Sequence, residues 1–132
     1  MSDIFQEFVK RRSIRRYTEE PIADDLLRRI LAVGLMSASG KSKFPWQFIV
    51  VRDRAMLEKL SGCRVGVAKM LAKAACAIIV IGDKTITDTV IEDCTIAAIN
   101  MHLEASSLGL GSCYIQGRGR EAEDGRTTED FV

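Results

Sequence analysis

The chain lacks any apolar run approaching the roughly 18 residues that a membrane-spanning helix needs. Its first residues, MSDIFQEF, also lack the apolar core of a secretory signal peptide. Neither sign of charge is in excess, because 19 basic and 18 acidic residues leave a formal net charge of +1. The sequence therefore predicts a soluble cytoplasmic protein, and its overall charge points to neither nucleic acid nor a membrane surface as a partner.

The sequence shows no recognisable spacing of metal ligands and no recognisable arrangement of nucleophiles. The single histidine, His102, lies in an apolar segment with no recognisable nucleophile arrangement, and we expect a structural role for it. The cysteines show no CxxC or CxxH spacing, which predicts reduced structural thiols at Cys63, Cys76, Cys94 and Cys113. The sequence thus indicates neither a metal site nor a catalytic side chain.

Helix-forming sequence is plentiful by contrast. Residues 88–111 contain no proline, and no glycine before Gly109, and their apolar side chains recur at steps of three and four. This spacing predicts one long helix of roughly 30 Å that ends at a glycine suited to a left-handed cap. Its polar residues form only a narrow strip, so we expect this helix to be scaffold at the centre of the domain or in a subunit interface.

The remaining segments alternate between helical and strand patterns. Apolar residues recur at helical steps in residues 4–12 and 23–35, with Ser2 or Asp3 placed to cap the first helix. Asp53 is expected to cap a short helix that runs through residue 60, and a further helix is expected at residues 67–73. Apolar runs predict strands at residues 47–52, 75–82 and 112–116, the second covered on both faces and the third buried. This alternation predicts an α/β or α+β fold, and 132 residues suffice for one domain.

Two polar segments are candidates for a binding site. In RRSIRRY, residues 11–17, guanidinium groups and the Ser13 hydroxyl could bind a phosphate. Two alternatives for the same residues are a solvated charged turn and a weak contact with nucleic acid. In residues 37–43, serine hydroxyls and the small Gly40 would admit a planar polar ligand, although an ordinary turn between helix and strand has this composition too.

Four segments, taken in order, resemble the nitroreductase family of FMN-dependent oxidoreductases: RRSIRRYTEEPI, SASGKSKFPWQFIVV, AACAIIVIGDK and DCTIAAINMHLEASSLGLGSCYIQ. The resemblance implies one α+β domain over residues 1–132, with a central, mostly antiparallel sheet flanked by helices. It also implies a homodimer, with the long helix at its interface. The activity implied is ping-pong transfer of electrons from NAD(P)H, through FMN, to a small electron-poor acceptor such as a nitroaromatic compound or a quinone.

The same resemblance implies which residues contact FMN. The first motif implies contacts with the phosphate and ribityl region by Arg11, Arg12, Ser13 and Arg15. The loop before the Pro-Trp pair is implied to face the flavin of the partner subunit through Ala38, Ser39, Gly40 and Ser42. Gln116 and Gly117 match the place where a backbone amide approaches flavin N5, and Lys69 is a looser match to a lysine near the ring.

The sequence also departs from the family pattern. Ala38 stands where the family usually has Pro, Ser42 where it has Asn, and Phe44 where it has Gln. Family members continue with another helix, a strand and a basic tail, whereas this sequence stops at TTEDFV, a helix-start pattern. We therefore expect a shortened version of the family domain, lacking its C-terminal part. The alternative function is that of a non-catalytic homodimeric remnant that no longer retains flavin.

Overall fold

The computed structural model describes residues 3–132. Its elements follow in the order α1 (Ile4–Lys10), α2 (Asp24–Leu35), β1 (Trp46–Val51), α3 (Arg54–Leu60), β2 (Ala77–Gly82), α4 (Val90–Ser107) and α5 (Thr128–Phe131). Short 3₁₀ turns occupy Gly40–Ser42 and Lys69–Lys73. No helix among residues 3–132 is long and apolar enough to span a membrane.

Side-chain caps explain where several helices begin. Asp3 accepts a hydrogen bond from the Phe5 N–H at the start of α1, and Asp53 accepts one from the Met56 N–H at the start of α3. Ser2, the other predicted cap for α1, lies outside the described residues. Thr127 caps α5 through the Asp130 N–H, as the acidic residues that follow it predict.

β1 and β2 pair as a two-stranded antiparallel sheet. The Asp83 N–H donates to the Pro45 carbonyl over 3.0 Å, which sets the end of β2 beside the start of β1. Helices combined with an antiparallel sheet make this an α+β fold, as the resemblance implied.

The chain divides into two compact units. The first contains the chain up to Ile14 together with Ile22–Ile49 and Ile79–Tyr114. The second contains Arg15–Pro21, Val50–Ile78 and Ile115–Val132. The candidate binding residues of the sequence are therefore distributed over both units.

In the first unit, α2 and α4 approach each other closely at Gly34. A Cβ atom on Gly34 would lie 2.7 Å from Met101 Sδ and 2.8 Å from a ring carbon of Phe48, so only glycine fits there without displacement. The core of this unit draws on α2, β1 and α4. Its buried apolar side chains are Leu27, Ile30, Trp46, Val90, Ala97, Met101 and Ala105.

In the second unit, α3 buries Leu57 and Leu60. The side chain of Thr128, at the start of α5, is also buried and donates to the Cys63 carbonyl over 2.6 Å. A helix of four residues is too short to be stable alone, so this contact and the Thr127 cap hold α5 in place.

Two strand predictions are wrong. β2 is not covered on both faces, because its residues are mostly half-buried and Ile81 is 42% exposed. Residues 112–116 form no strand, since Ser112 makes only an isolated parallel bridge to Ser13 that does not continue as a ladder. The carbonyl of Gln116 instead accepts a hydrogen bond from the Arg64 side chain. An apolar run fixes neither the number of neighbours of a strand nor the presence of a pairing partner.

Candidate functional site

The basic segment that follows α1 is fixed at both ends. At its start, the Arg11 N–H closes α1 on the Glu7 carbonyl, and the Arg11 guanidinium lies 3.0 Å from Nε2 of His102. At its end, the Ile14 N–H donates to the Ser112 carbonyl over 2.9 Å. Arg12 and Ser13, between these anchors, are exposed. The segment thus presents a guanidinium group and a hydroxyl to solvent from a fixed backbone.

The contacts of His102 determine where its proton lies. A guanidinium group has only donors, so Nε2 must accept from Arg11, and the proton must sit on Nδ1. Nδ1 then donates to the Ser112 hydroxyl. Burial lowers the pKa of His102, and the positive charge of Arg11 lowers it further. His102, only 6% exposed, is therefore a neutral side chain with both ring nitrogens engaged.

The loop between α2 and β1 is held by a buried carboxylate. Asp93, in the first turn of α4, is 3% exposed and accepts from the Ser39 hydroxyl at 2.7 Å and from the Gly40 N–H at 3.3 Å. The Ser39 hydroxyl in turn accepts from the Phe44 N–H at 2.9 Å. A Cβ atom on Gly40 would lie 2.8 Å from the Thr89 hydroxyl, so glycine allows the loop to lie close to the start of α4.

This loop carries three non-glycine residues in the left-handed region of the backbone map. Their φ angles are 53° for Lys41, 52° for Ser42 and 48° for Phe44. Such conformations cost about 1–3 kcal/mol each and persist where surrounding contacts hold them, often in ligand-binding loops. The bonds from Ser39 and Gly40 to Asp93 anchor this loop to α4, and within the loop the Ser42 N–H donates to the Ser39 carbonyl.

Besides Arg15, the second unit contains three predicted site residues: Lys69, Gln116 and Gly117. The Gln116 side chain accepts from Arg120 Nε at 2.7 Å, and its carbonyl accepts from Arg64 at 3.0 Å. A Cβ atom on Gly117 would lie 2.8 Å from the Thr128 methyl group, so only glycine fits at this position. Lys69 begins a 3₁₀ turn and is exposed.

Comparison with known proteins identifies the family. The model of the nitroreductase family matches residues 8–63 and 63–130. The chain belongs to the nitroreductase family. An FMN-dependent nitroreductase from Clostridium difficile R20291 is 41% identical and superposes with a TM-score of 0.93, over 96% of this chain and 74% of that chain.

Two curated relatives of this nitroreductase-family chain carry the provisional name NADH dehydrogenase/NAD(P)H nitroreductase. The relative from Archaeoglobus fulgidus is 36% identical, over 87% of this chain and 68% of its own length. The relative from Methanothermobacter thermautotrophicus is 37% identical, over 85% of this chain and 60% of its own length. The chain therefore spans only part of the length of these nitroreductase relatives.

The residues implied by the nitroreductase resemblance fall into two groups. Arg11, Arg12 and Ser13 are consecutive in the first unit, which also contains Ala38, Ser39, Gly40 and Ser42 in the loop before β1. Arg15, Lys69, Gln116 and Gly117 belong to the second unit. Each group remains a prediction for cofactor binding.

Apart from the structural role expected for His102, the side chains that hold these segments in place were not predicted from the sequence. Asp93 binds the loop, Asn100 donates to the Ser37 hydroxyl at 3.0 Å, and His102 binds Arg11. All three lie on α4, whose few polar residues were recognised but assigned no contacts. The only signal in the sequence was the presence of a polar side chain in an otherwise apolar helix, which predicts a buried hydrogen bond.

Proposed function

We propose that this chain is an FMN-dependent oxidoreductase that transfers electrons from NAD(P)H to an electron-poor acceptor, such as a nitroaromatic compound or a quinone, by a ping-pong mechanism. Membership of the nitroreductase family supports the class of reaction. The observation that carries the proposal is the basic segment at Arg11–Ser13, fixed by His102 and Ser112. A fixed group of donors can bind an anionic ligand without a large ordering cost.

The donors of this segment suit the phosphate of FMN. Guanidinium groups bind phosphate oxygens in pairs, and hydrogen bonds between charged groups are roughly twice as strong as those between neutral groups. Arg11 offers the N–H groups that His102 does not use, and exposed Arg12 and Ser13 add a second guanidinium and a hydroxyl. We also propose Arg15 as a cofactor-binding residue.

The other predicted residues would contact the flavin ring. We propose Lys69, Gln116 and Gly117 for the same subunit's flavin, and Ala38, Ser39, Gly40 and Ser42 for the flavin of the partner. When bound, FMN would supply the two-electron redox chemistry that connects NAD(P)H with the acceptor. The chain supplies donors where negative charge develops on the ring, and no side chain acts as a nucleophile.

We further propose that the chain works as a homodimer. α1 buries none of its residues within the chain, and its apolar side chains Ile4, Phe5, Phe8 and Val9 are each 58–66% exposed. α4 adds Ile91, Ile96 and Ile99, which are 37–46% exposed. Large exposed apolar groups on two helices of one unit favour a covered surface, and a second copy of the chain fits the nitroreductase pattern.

The flavin proposal is tested by incubating the purified chain with FMN, removing the excess and recording the visible spectrum. We expect retained flavin, and oxidation of NADH or NADPH that depends on a quinone or nitroaromatic acceptor and gives parallel double-reciprocal plots. The double variant Arg12→Ala/Ser13→Ala should lose flavin, whereas Arg28→Ala, which removes an exposed cation from α2, should retain it. A wild-type chain without flavin absorbance after incubation with excess FMN would contradict the proposal.

The dimer is tested by analytical ultracentrifugation. The variant Phe5→Asp/Phe8→Asp should sediment as a monomer at concentrations where the wild type is a dimer. Val65→Asp, which places the same charge at an apolar residue that is 57% exposed in the second unit, is the matched control. A monomeric wild type would contradict this part of the proposal.

The second candidate function is a non-catalytic homodimer that retains no flavin. The observation that favours it is the loop around Ser42 and Phe44, which departs from the nitroreductase pattern and adopts the left-handed backbone at both residues. A wild-type chain that sediments as a dimer but takes up no FMN is the result that selects this candidate.

A further inference from the structure

Arg11 binds an unusual partner for an arginine side chain. Its guanidinium group contacts a ring nitrogen of His102, 91 residues further along the chain, in a partly buried setting. Arginine side chains in such settings more often pair with carboxylates. A carboxylate would neutralise the charge of Arg11, whereas the neutral ring orients the guanidinium and leaves its charge available to another anion.

His102 is itself held by a second contact. Its Nδ1–H donates to the Ser112 hydroxyl, which fixes the tautomer and leaves Nε2 as the acceptor for Arg11. The carbonyl of the same Ser112 accepts from the Ile14 N–H. Ser112 therefore supports both ends of the basic segment, one end through His102 and the other directly.

The packing beside Ser112 further restricts this arrangement. A Cβ atom on Gly111 would lie 2.9 Å from the Ile14 side chain, so the backbone of Gly111 lies directly against Ile14. The segment Arg11–Ile14 thus cannot shift far from residues 111–112 without losing contacts. The orientation of Arg11 is then set by His102.

We propose that His102 is a positioning residue for the phosphate group of a bound flavin mononucleotide, acting through the Arg11 guanidinium and without touching the cofactor. This inference rests on the proposed function, because it assigns the phosphate of FMN to Arg11. The histidine sets the direction of the guanidinium, and the Ser112 hydroxyl sets the tautomer of the histidine. Riboflavin has the same ring as FMN but no phosphate, so it should not depend on His102.

The test compares the affinities of the full chain for FMN and for riboflavin. His102→Leu removes both ring contacts at similar volume, and we expect about a tenfold weaker affinity for FMN, the effect of one hydrogen bond to a charged group, with riboflavin unchanged. His102→Gln keeps an acceptor for Arg11 and a donor for Ser112, and should recover most of the preference for FMN. Should His102→Leu fail to fold, Ser112→Ala should reduce the same preference by a smaller factor.

Two further variants separate positioning from general damage. In an Arg11→Ala background, His102→Leu should cause no further change in the ratio of the two affinities, because the residue through which it acts is gone. Gly34→Ala disturbs the packing of α4 away from Arg11. It should reduce the affinities for FMN and for riboflavin by the same factor.

The affinities of the wild type test the proposed function, and those of the variants test the positioning role of His102. A wild type that binds neither flavin overturns the proposed function, and the inference with it. A wild type that prefers FMN, combined with an unchanged preference in His102→Leu or an effect that persists without Arg11, overturns the positioning role alone.

Discussion

Replacement of Asp93 should loosen the loop before β1, because this carboxylate holds the loop through Ser39 and Gly40. The carboxylate is 3% exposed and accepts from the Ser39 hydroxyl at 2.7 Å and the Gly40 N–H at 3.3 Å. Its position in the first turn of α4 also places a negative charge at the favourable end of the helix dipole. Asp93→Ala removes these interactions and leaves two donors unpaired.

The expected cost follows from the geometry of the two bonds. A hydrogen bond to a charged group contributes about 1.5–3 kcal/mol, and the Ser39 bond has the short distance of a strong one. The Gly40 bond is long and adds less. Release of the buried carboxylate offsets part of the loss, because a buried charge carries a desolvation cost. We expect Asp93→Ala to lower the free energy of unfolding by about 2 kcal/mol.

Asp93→Asn should cost about half as much, since an amide oxygen can accept from only one of the two donors while its NH₂ group faces the other. The assay is urea unfolding followed by the fluorescence of Trp46, the single tryptophan, which is buried directly after the loop. Glu92→Ala removes an exposed carboxylate in the same turn and should change stability by less than about 0.5 kcal/mol.

A double-mutant cycle with Ser39→Ala identifies the interaction responsible. Asp93→Ala and Ser39→Ala should be coupled by about 1 kcal/mol or more, because each removes the same bond. Additive effects, or an Asp93→Ala variant no less stable than Glu92→Ala, would refute the role assigned to this carboxylate.

Three other predictions follow from the same contacts. Gly34→Ala should destabilise the first unit by about 1–3 kcal/mol in urea unfolding, because the new methyl group would lie 2.7 Å from Met101 Sδ. Gly117→Ala should weaken the hydrogen bond from Thr128 to Cys63, since its Cβ would lie 2.8 Å from the Thr128 methyl group, and faster amide exchange in α5 would report this. The pKa of His102 in the folded chain lies below its ordinary value of 6.5. The unfolded chain therefore binds more protons at this residue as the pH falls. The contribution of His102 to the free energy of unfolding is complete above pH 6.5 and declines as the pH falls toward the folded-state pKa. The wild type should therefore lose more stability than His102→Gln between neutral and mildly acidic pH, and parallel pH profiles would contradict this.

The sequence predicted most helices well because their signals are local, whereas the helix expected at residues 67–73 was wrong and is only a short 3₁₀ turn at Lys69–Lys73. Apolar spacing gave α4 within a few residues of its observed ends, and Asp3 and Asp53 cap the helices that they were expected to cap. These signals involve residues within one or two turns of each other, so no tertiary information is needed.

The strands and the site contacts could not be obtained in the same way. The pairing of residues 112–116 depends on neighbours elsewhere in the chain, and only Ser112 finds a backbone bridge. Asp93 and Ser39 are 54 residues apart, and Arg11 and His102 are 91 apart. No local spacing connects such pairs. The cofactor residues came from the family resemblance, which gives positions in the chain but not the side chains that hold them.

α4 is only weakly amphipathic because several of its polar side chains bind other parts of the chain instead of facing water. A helix with one apolar face and one solvated face would display its polar residues to water. In α4, Asp93 and Asn100 instead hold the loop before β1, and His102 holds the basic segment after α1. At 1.5 Å per residue, Asp93 and His102 are separated by roughly 13 Å along a rigid axis, which fixes the distance between their attachment points. The loop before β1 and the basic segment after α1 are therefore positioned by one element. Substitution of Asp93 should therefore alter the loop, and substitution of His102 should alter the basic segment.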